Sequence, residues 1–406
     1  MKKYNIIFLV QNEVTWNCFS SIYKECLNSE EFNPIVMSLP IWLDTGDTAP
    51  GPGWAVTSDP SRGLETYDKN QNLVLDNEHI EYIKLKDISR QDRVSYMKSF
   101  DPAIVFIAAK DDGFFLPAFS ENIQSLSTKF RFVYIPYYGA TQVDVPIHSN
   151  APAHVYSWKI IADSPVYVRY LLEDNIPASK IINFGHPKIE EIYGIRTLQG
   201  KWPIDNSGDK LKIIWAPHWS LPEYSLWPNG SINLLKFGTF LQTYKGFLNY
   251  AKNNPNVQIA LRPHPMLQLW LRYHNVHIIF SEFLDQWKAL PNTACILTGL
   301  YNELFAASDI LVTDGISFLI EYPIATNKPV IFIDSGCHGT FNEIGLMGEK
   351  YAHITTSFDE VKELLDNPLL LEHRDASAIV DFLIPNYGNT ARKIIESLHA
   401  SLISEI

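Results

Sequence analysis

Ile310-Leu-Val-Thr-Asp-Gly-Ile-Ser-Phe-Leu-Ile-Glu321 changes character halfway along its length. Its first three residues are apolar and bulky, the signature of a strand buried on both faces. Thr313-Asp314-Gly315 then breaks the run, and Gly315 permits a tight turn. From Ser317 onward the pattern reads as the first turn of a helix, whose free N–H groups favour a phosphate. A strand that ends on polar residues and turns straight into a helix is half of a βαβ unit.

The same reading recurs along the chain. Buried strands are expected at residues 5–10, 35–39, 103–108, 132–135, 159–162 and 181–184 in the first half. In the second half they are expected at 211–215, 257–261, 276–279, 310–312 and 330–333. Helical patterns fall between many of them, at 16–28, 165–173, 237–253, 302–307, 318–325 and 358–366. The fold class is therefore α/β, with mostly parallel sheets.

Residues 193–212, rich in Gly, Pro and polar side chains, read as a linker, after which the strand pattern restarts. This divides the chain into Rossmann-like domains at 1–195 and 210–385, each of ordinary domain size. A helix over 386–406 follows, either capping the second domain or crossing back onto the first. The segment 42–77 is a long Gly- and Pro-rich loop, and its Trp42, Trp54 and Tyr67 either line an acceptor site or pin the loop down.

Composition excludes several classes. The 406 residues are 46% hydrophobic and 19% charged, so the chain buries large cores and is not disordered. Lys and Arg number 33 against 45 Asp and Glu, a formal charge of −12, which argues against nucleic-acid binding. The four cysteines (Cys18, Cys26, Cys295 and Cys337) form no Cys-x-x-Cys pair and read as free thiols. The apolar run at 6–10 is too short for a signal peptide, and no run approaches a membrane span. A cytoplasmic protein is expected, free or peripheral at the inner face of the membrane. The basic cluster Lys84, Lys86, Arg90, Arg93 and Lys98 is interspersed with Asp87 and Asp92 and reads as a solvated face.

In open α/β sheets, ligands bind beyond the carboxyl ends of the strands. Four tips in the second half carry chemistry: Ala-Pro-His-Trp-Ser (216–220), Arg-Pro-His-Pro (262–265), Thr313–Ser317, and Asp-Ser-Gly-Cys-His (334–338). The prolines flanking His264 present it on a stiff turn. Arg262, His218, His264 and Ser317 supply a cation, imidazoles and a hydroxyl, a donor set suited to a diphosphate. His186 and His338 read as structural. No P-loop, Gly-x-Gly-x-x-Gly or zinc motif is present, so no metal and no separate cofactor is expected.

Taken in order, these tips, with Tyr-Asn-Glu-Leu-Phe-Ala-Ala-Ser-Asp (301–309), Lys-Pro-Val-Ile-Phe-Ile-Asp (328–334) and Tyr-Gly-Asn-Thr-Ala-Arg (387–392), form a set. The set resembles the C-terminal domain of the CDP-glycerol glycerophosphotransferase family, the teichoic-acid primases and polymerases of bacterial cell envelopes. The resemblance covers roughly residues 211–395. It implies a GT-B architecture, two Rossmann-like domains around a cleft, with the nucleotide held mainly by the second. It also implies that Arg262 and His264 contact the donor phosphates, and that Ser317 and the helix start at Asp314 hold the phosphates or glycerol. Glu321 takes the place of a second acid on the nucleotide side.

The first domain departs from the pattern. Where the family has a basic His in Trp-His-Gly, Tyr134-Ile-Pro-Tyr-Tyr-Gly139 places Tyr138. A tyrosine of pKa ~10 is a poor base at neutral pH. Asp111 and Asp112 are the nearest substitutes, or a solvated loop pair, and the base is open. The expected reaction is transfer of a phosphoalditol from a CDP-activated donor, itself the substrate, to a hydroxyl of a glycan or lipid-linked acceptor. His264, His218 and Asp112 are the catalytic candidates; Arg262, Asp314, Ser317 and Glu321 are the binding candidates. Two rivals stand beside this: a GT-B glycosyltransferase using a nucleotide sugar in capsule or lipopolysaccharide synthesis, and a ligand binder without chemistry.

Overall fold

The computed structural model describes residues 3–44, 63–66, 73–108, 118–136, 141–142, 151–205, 210–226, 235–297 and 301–405. The first half contributes β1 (Tyr4–Val10), β2 (Phe32–Ser38), β3 (Ile41–Asp44), β4 (Gly63–Thr66) and β5 (Tyr82–Lys84). It continues with β6 (Pro102–Ile107), β7 (Phe132–Tyr134), β8 (Lys159–Ile161) and β9 (Ile181–Ile182). Seven of these form a parallel sheet in the order β5-β2-β1-β6-β7-β8-β9. Strands β3 and β4 pair antiparallel within the segment expected to be a loop. Trp54 and Tyr67 lie outside the described residues, as do Asp111, Asp112 and Tyr138.

The second half contributes β10 (Leu211–Ala216), β11 (Val257–Leu261), β12 (Thr293–Cys295), β13 (Ile310–Thr313), β14 (Val330–Ile333) and β15 (His353–Thr355). They form a six-stranded parallel sheet in the order β12-β11-β10-β13-β14-β15. Both sheets are covered on both faces, which is why their strands are unbroken apolar runs. In β1, Ile6, Phe8 and Val10 enter one core while Ile7 and Leu9 enter the other. In β10, Ile213 and Trp215 face one side and Ile214 and Ala216 the opposite one.

One expected strand is a helix. Residues 276–279 lie at the start of the helix His277–Lys288, which follows Asn275 in the left-handed region at φ 59°. The reason is the periodicity further along: Phe280, Phe283, Leu284 and Trp287 are buried at i, i+3, i+4 and i+7, one face of a helix. The helix Thr390–Ser404 lies on the first sheet, where Ala391, Ile394, Ile395, Leu398 and Leu402 share a core with Ile6 and Phe8. No described helix is long and apolar enough to cross a membrane.

The two halves touch through specific contacts. The helix Pro187–Gly194 packs against the helix Phe318–Thr326. Gln142 bridges to Phe341 in antiparallel fashion, and the Asn342 N–H donates to the Thr141 carbonyl at 3.0 Å. Arg169 holds both carboxylate oxygens of Glu343, at 2.6 and 3.0 Å.

Candidate active site in the cleft

In each sheet the chain fills one side of the first strand and then crosses to the other, so a crevice opens at the carboxyl ends of the central pair. In the second sheet that pair is β10 and β13. The Thr313 hydroxyl donates to the Ala216 carbonyl at 2.8 Å and accepts from the Gly315 N–H at 2.9 Å, so the two tips are tied side by side. Asp314 is 1% exposed and completes the tie. Its Oδ1 accepts from the His218 N–H at 2.6 Å, and its Oδ2 accepts from the N–H and, at 2.8 Å, the hydroxyl of Thr239. Burial pushes this carboxyl up to about 6 against the pull of those hydrogen bonds. Both Asp314 oxygens are therefore already engaged by protein donors.

His218 and His264 leave that framework as a pair, with ring centroids 4.9 Å apart. Backbone bonds place them: the His264 N–H donates to the Pro217 carbonyl at 2.9 Å, and the Arg262 N–H to the Trp215 carbonyl at 2.8 Å. His264 Nδ1 accepts from the Met266 N–H at 3.1 Å. His218 Nδ1 accepts from the Ser220 N–H at 3.3 Å and lies 2.9 Å from the Ser220 hydroxyl. With Nδ1 accepting in both rings, the proton of each neutral imidazole sits on Nε2. Burial, joined by the Arg262 charge, depresses His264 to about 3, and burial together with His264 lowers His218 well below the ordinary histidine value. Two neutral N–H donors thus stand together at the crevice.

Arg262, half-buried, anchors one end of its guanidinium on the Ile296 carbonyl at 3.1 Å. Its surroundings are Tyr301, Cys295 and, from the first half, Glu13. Ser317 is exposed at the start of the helix Phe318–Thr326, and its hydroxyl makes no hydrogen bond among the described residues. Glu321, one turn further, is buried and spoken for: Oε1 accepts from Lys188 Nζ at 2.8 Å and Oε2 from the Tyr301 hydroxyl at 2.6 Å. Ser317 and Glu321 line a cavity of about 30 Å³ together with Thr141, Asp163 and Ile344, room for about one water. The structure thus brings Arg262, His264, His218 and Asp314 into one cluster. Glu321 joins it through Tyr301, and Ser317 sits beside it.

From the first half, the charge of Glu13 acts on Arg262, and the sequence reading did not weigh this residue. Glu13 opens the helix Glu13–Asn28, capped by Asn12, immediately beyond β1. Burial raises its carboxyl above the ordinary value while Arg262 draws it down. Its position after the first central strand was the available signal. His186, by contrast, is structural: it caps the helix Pro187–Gly194 by accepting from the Lys188 N–H at 3.1 Å, and its Nε2 donates to the Pro136 carbonyl. His338 stacks on Phe341 at 4.2 Å beside the bridge between the halves. Among the described residues no group of three His, Cys, Asp or Glu side chains is placed to hold a metal ion.

The sequence matches no family profile and no curated protein. Solved structures do match over the whole chain. The UDP co-structure of MnaA from S. aureus is 13% identical with a TM-score of 0.60, covering 99% of this chain and 98% of that one. UDP-GlcNAc 2-epimerase from Neisseria meningitidis bound to UDP-GlcNAc is 15% identical, also with a TM-score of 0.60, covering 98% of this chain and 100% of that one. The wall teichoic acid polymerase TagF, as an H444N variant, is 14% identical with a TM-score of 0.57, covering 99% of this chain and 90% of that one. The two parallel-sheet domains are therefore of the GT-B-like kind.

Proposed function

We propose that this chain is a transferase that uses a nucleotide-activated donor, moving glycerol phosphate or a related phosphoalditol from a CDP compound to a hydroxyl of a cell-envelope glycan or glycolipid. The observation that carries the reading is the pair of neutral Nε2–H donors on His218 and His264, set with Arg262 beyond the central strands of the second sheet. Such a set binds a diphosphate by charge and by directed hydrogen bonds. The TagF structure soaked with CDPG and the UDP co-structure of MnaA support a nucleotide-activated donor for a chain of this fold.

The acceptor oxygen attacks the donor's distal phosphorus in line, and CMP leaves. Negative charge grows on the bridging and non-bridging oxygens as the bond breaks. Donors fixed in advance by backbone bonds, as His264 and His218 are, stabilise that charge without reorganising. Neutral imidazoles keep this role across the physiological pH range. A nucleotide-sugar reaction is the second reading, favoured because Tyr138 stands where the resembling family has a histidine base. Incubation with CDP-glycerol, CDP-ribitol, UDP-sugars and CMP-sugars, with the released nucleotide identified, decides between them. Release of CMP from CDP-glycerol supports the first reading. Release of UDP alone replaces it with the second, and binding without release makes the protein a nucleotide binder.

A further inference from the structure

Phe237-Gly238-Thr239 straps the tip that carries His218. Its three consecutive N–H groups donate inward: Phe237 to the Ser220 hydroxyl at 3.3 Å, Gly238 to the Ser220 carbonyl at 2.8 Å, and Thr239 to Asp314 Oδ2. A Cβ on Gly238 would lie 2.7 Å from the His218 carbonyl oxygen, so only glycine lets the strap seat this closely. The Phe237 ring stacks on the His218 imidazole, with centroids 4.4 Å apart. Ser220 is fully buried, and its hydroxyl oxygen lies 2.9 Å from His218 Nδ1. A buried hydroxyl needs an acceptor for its proton, and Nδ1 is the one that the described residues offer. The Ser220 N–H donates to the same nitrogen at 3.3 Å. Two donors therefore converge on Nδ1 and leave no place for a proton there.

We infer that Ser220 is a positioning residue of the site: its hydroxyl fixes the His218 ring with the proton on Nε2, the nitrogen left to donate to the nucleotide's phosphate. Its effect on rate rests on the transferase reading above; its hold on the ring does not. Nε2 makes no hydrogen bond to a described residue, and the ring is partly exposed. The other tautomer, protonated on Nδ1, would set the ring's own N–H against the two protein donors. It would also present a bare lone pair to an anionic ligand, where the charge that grows during transfer needs a donor. The backbone of His218 is held separately, by Asp314 Oδ1, which accepts the His218 N–H at 2.6 Å. The same strap serves both supports, since Thr239 holds Asp314 while Phe237 and Gly238 hold Ser220. His264 differs: its Nδ1 is met by the backbone N–H of Met266, so no side chain sets its tautomer.

The test uses the full chain with isotopically labelled histidine and reads the protonation of each ring nitrogen by NMR, taking as His218 the signal lost in His218→Ala. The parent is expected to carry the proton on Nε2 alone, and a proton on Nδ1 overturns the inference without any variant. Ser220→Ala is expected to populate both tautomers, and Ser220→Thr, which keeps the hydroxyl, to restore the parent pattern. Nucleotide release from CDP-glycerol and UDP-GlcNAc is read in parallel. Ser220→Ala is expected to slow release about 10-fold, and to add less than about twofold to the loss in His218→Ala, because it acts through that ring. Losses that multiply in the double variant give Ser220 a role apart from His218 and overturn the inference. An Ala variant that keeps either the parent's tautomer or the parent's rate overturns it as well. If the parent releases no nucleotide, the transferase reading falls, while the NMR patterns of the parent and the Ala variant still decide whether Ser220 sets the ring.

Discussion

Lys188 and Glu321, 133 positions apart, form a buried ion pair across the cleft at 2.8 Å, with their side chains only 9% and 7% exposed. Burial works against the Lys188 ammonium, but the charge of Glu321 and its hydrogen bond outweigh it and raise the lysine. Tyr301 supplies the second bond to the same carboxylate, so the pair is satisfied on both oxygens. Removing one partner leaves a buried charge without its counter-ion, a loss of about 3–5 kcal/mol. Lys188→Met is therefore expected to lower the unfolding midpoint sharply. Lys188→Met combined with Glu321→Gln, which still accepts from Tyr301, is expected to regain a substantial part. Strictly additive losses in that double-mutant cycle refute the coupling.

His264→Ala is expected to reduce nucleotide release by about 10²–10³-fold with the thermal midpoint little changed, the loss typical of one fixed donor to a developing anion. Because His264 is depressed to about 3, it is neutral throughout the neutral range, and the rate profile is expected to show no limb near pH 6.5 from this residue. A limb there that disappears in His264→Gln contradicts the assigned protonation state.

The pH dependence of stability separates two buried groups of opposite sign. His186 is 2% exposed and lowered to about 4 by burial, while an unfolded histidine titrates near 6.5. Between those values the unfolded chain binds a proton that the folded one does not, so stability is lost as the pH falls, by up to about 3 kcal/mol. Asp314, raised to about 6 from 3.8, binds its proton first in the folded state, so its contribution grows as the pH falls through that window. Midpoints measured from pH 7 to 4 are expected to fall less steeply in His186→Gln and more steeply in Asp314→Asn. An unchanged slope in the histidine variant rules out its part.

Gly345 lies at a tight approach between the halves. A Cβ there would lie 2.3 Å from the Thr141 carbonyl oxygen and 2.6 Å from the Phe341 ring. Gly345→Ala is expected to part Thr141 from Asn342 and cost about 1–3 kcal/mol. Faster proteolysis near residues 141–142 reports the opening, and an alanine variant of parent stability and protease resistance excludes it.

Much of the site was legible because parallel strands buried on both faces are apolar runs, and the polar residues that follow them stand out. His218, Arg262, His264 and Asp314 were singled out that way as candidates, and the structure places them together. What such a pattern does not show is what each tip touches, so Asp314 read as a ligand-holding residue although its oxygens bind Thr239 and the His218 backbone. The run 276–279 has strand-like composition, and only the burial of Phe280, Phe283, Leu284 and Trp287 reveals the helix. The edge strands β5, β12 and β15 (Tyr-Ile-Lys, Thr-Ala-Cys and His-Ile-Thr) are only partly buried and mix in polar residues, so they lack the apolar run that marked the equally short β7 and β8. Glu13 begins an ordinary amphipathic helix, and only its place just beyond β1 sets it apart from other first-turn acids. Its setting involves Arg262, just beyond the end of a strand in the other sheet.

The helix Thr390–Ser404 has a consequence for how the chain is made. Its apolar face completes the core beneath β1, yet it is translated after every strand of the second sheet. On the ribosome, the first sheet emerges early with one face incompletely covered and waits while the second sheet is synthesised. Exposed apolar surface of that kind attracts chaperones and promotes aggregation. Completion of the amino-terminal half's core is therefore a late docking event that follows synthesis of the second sheet.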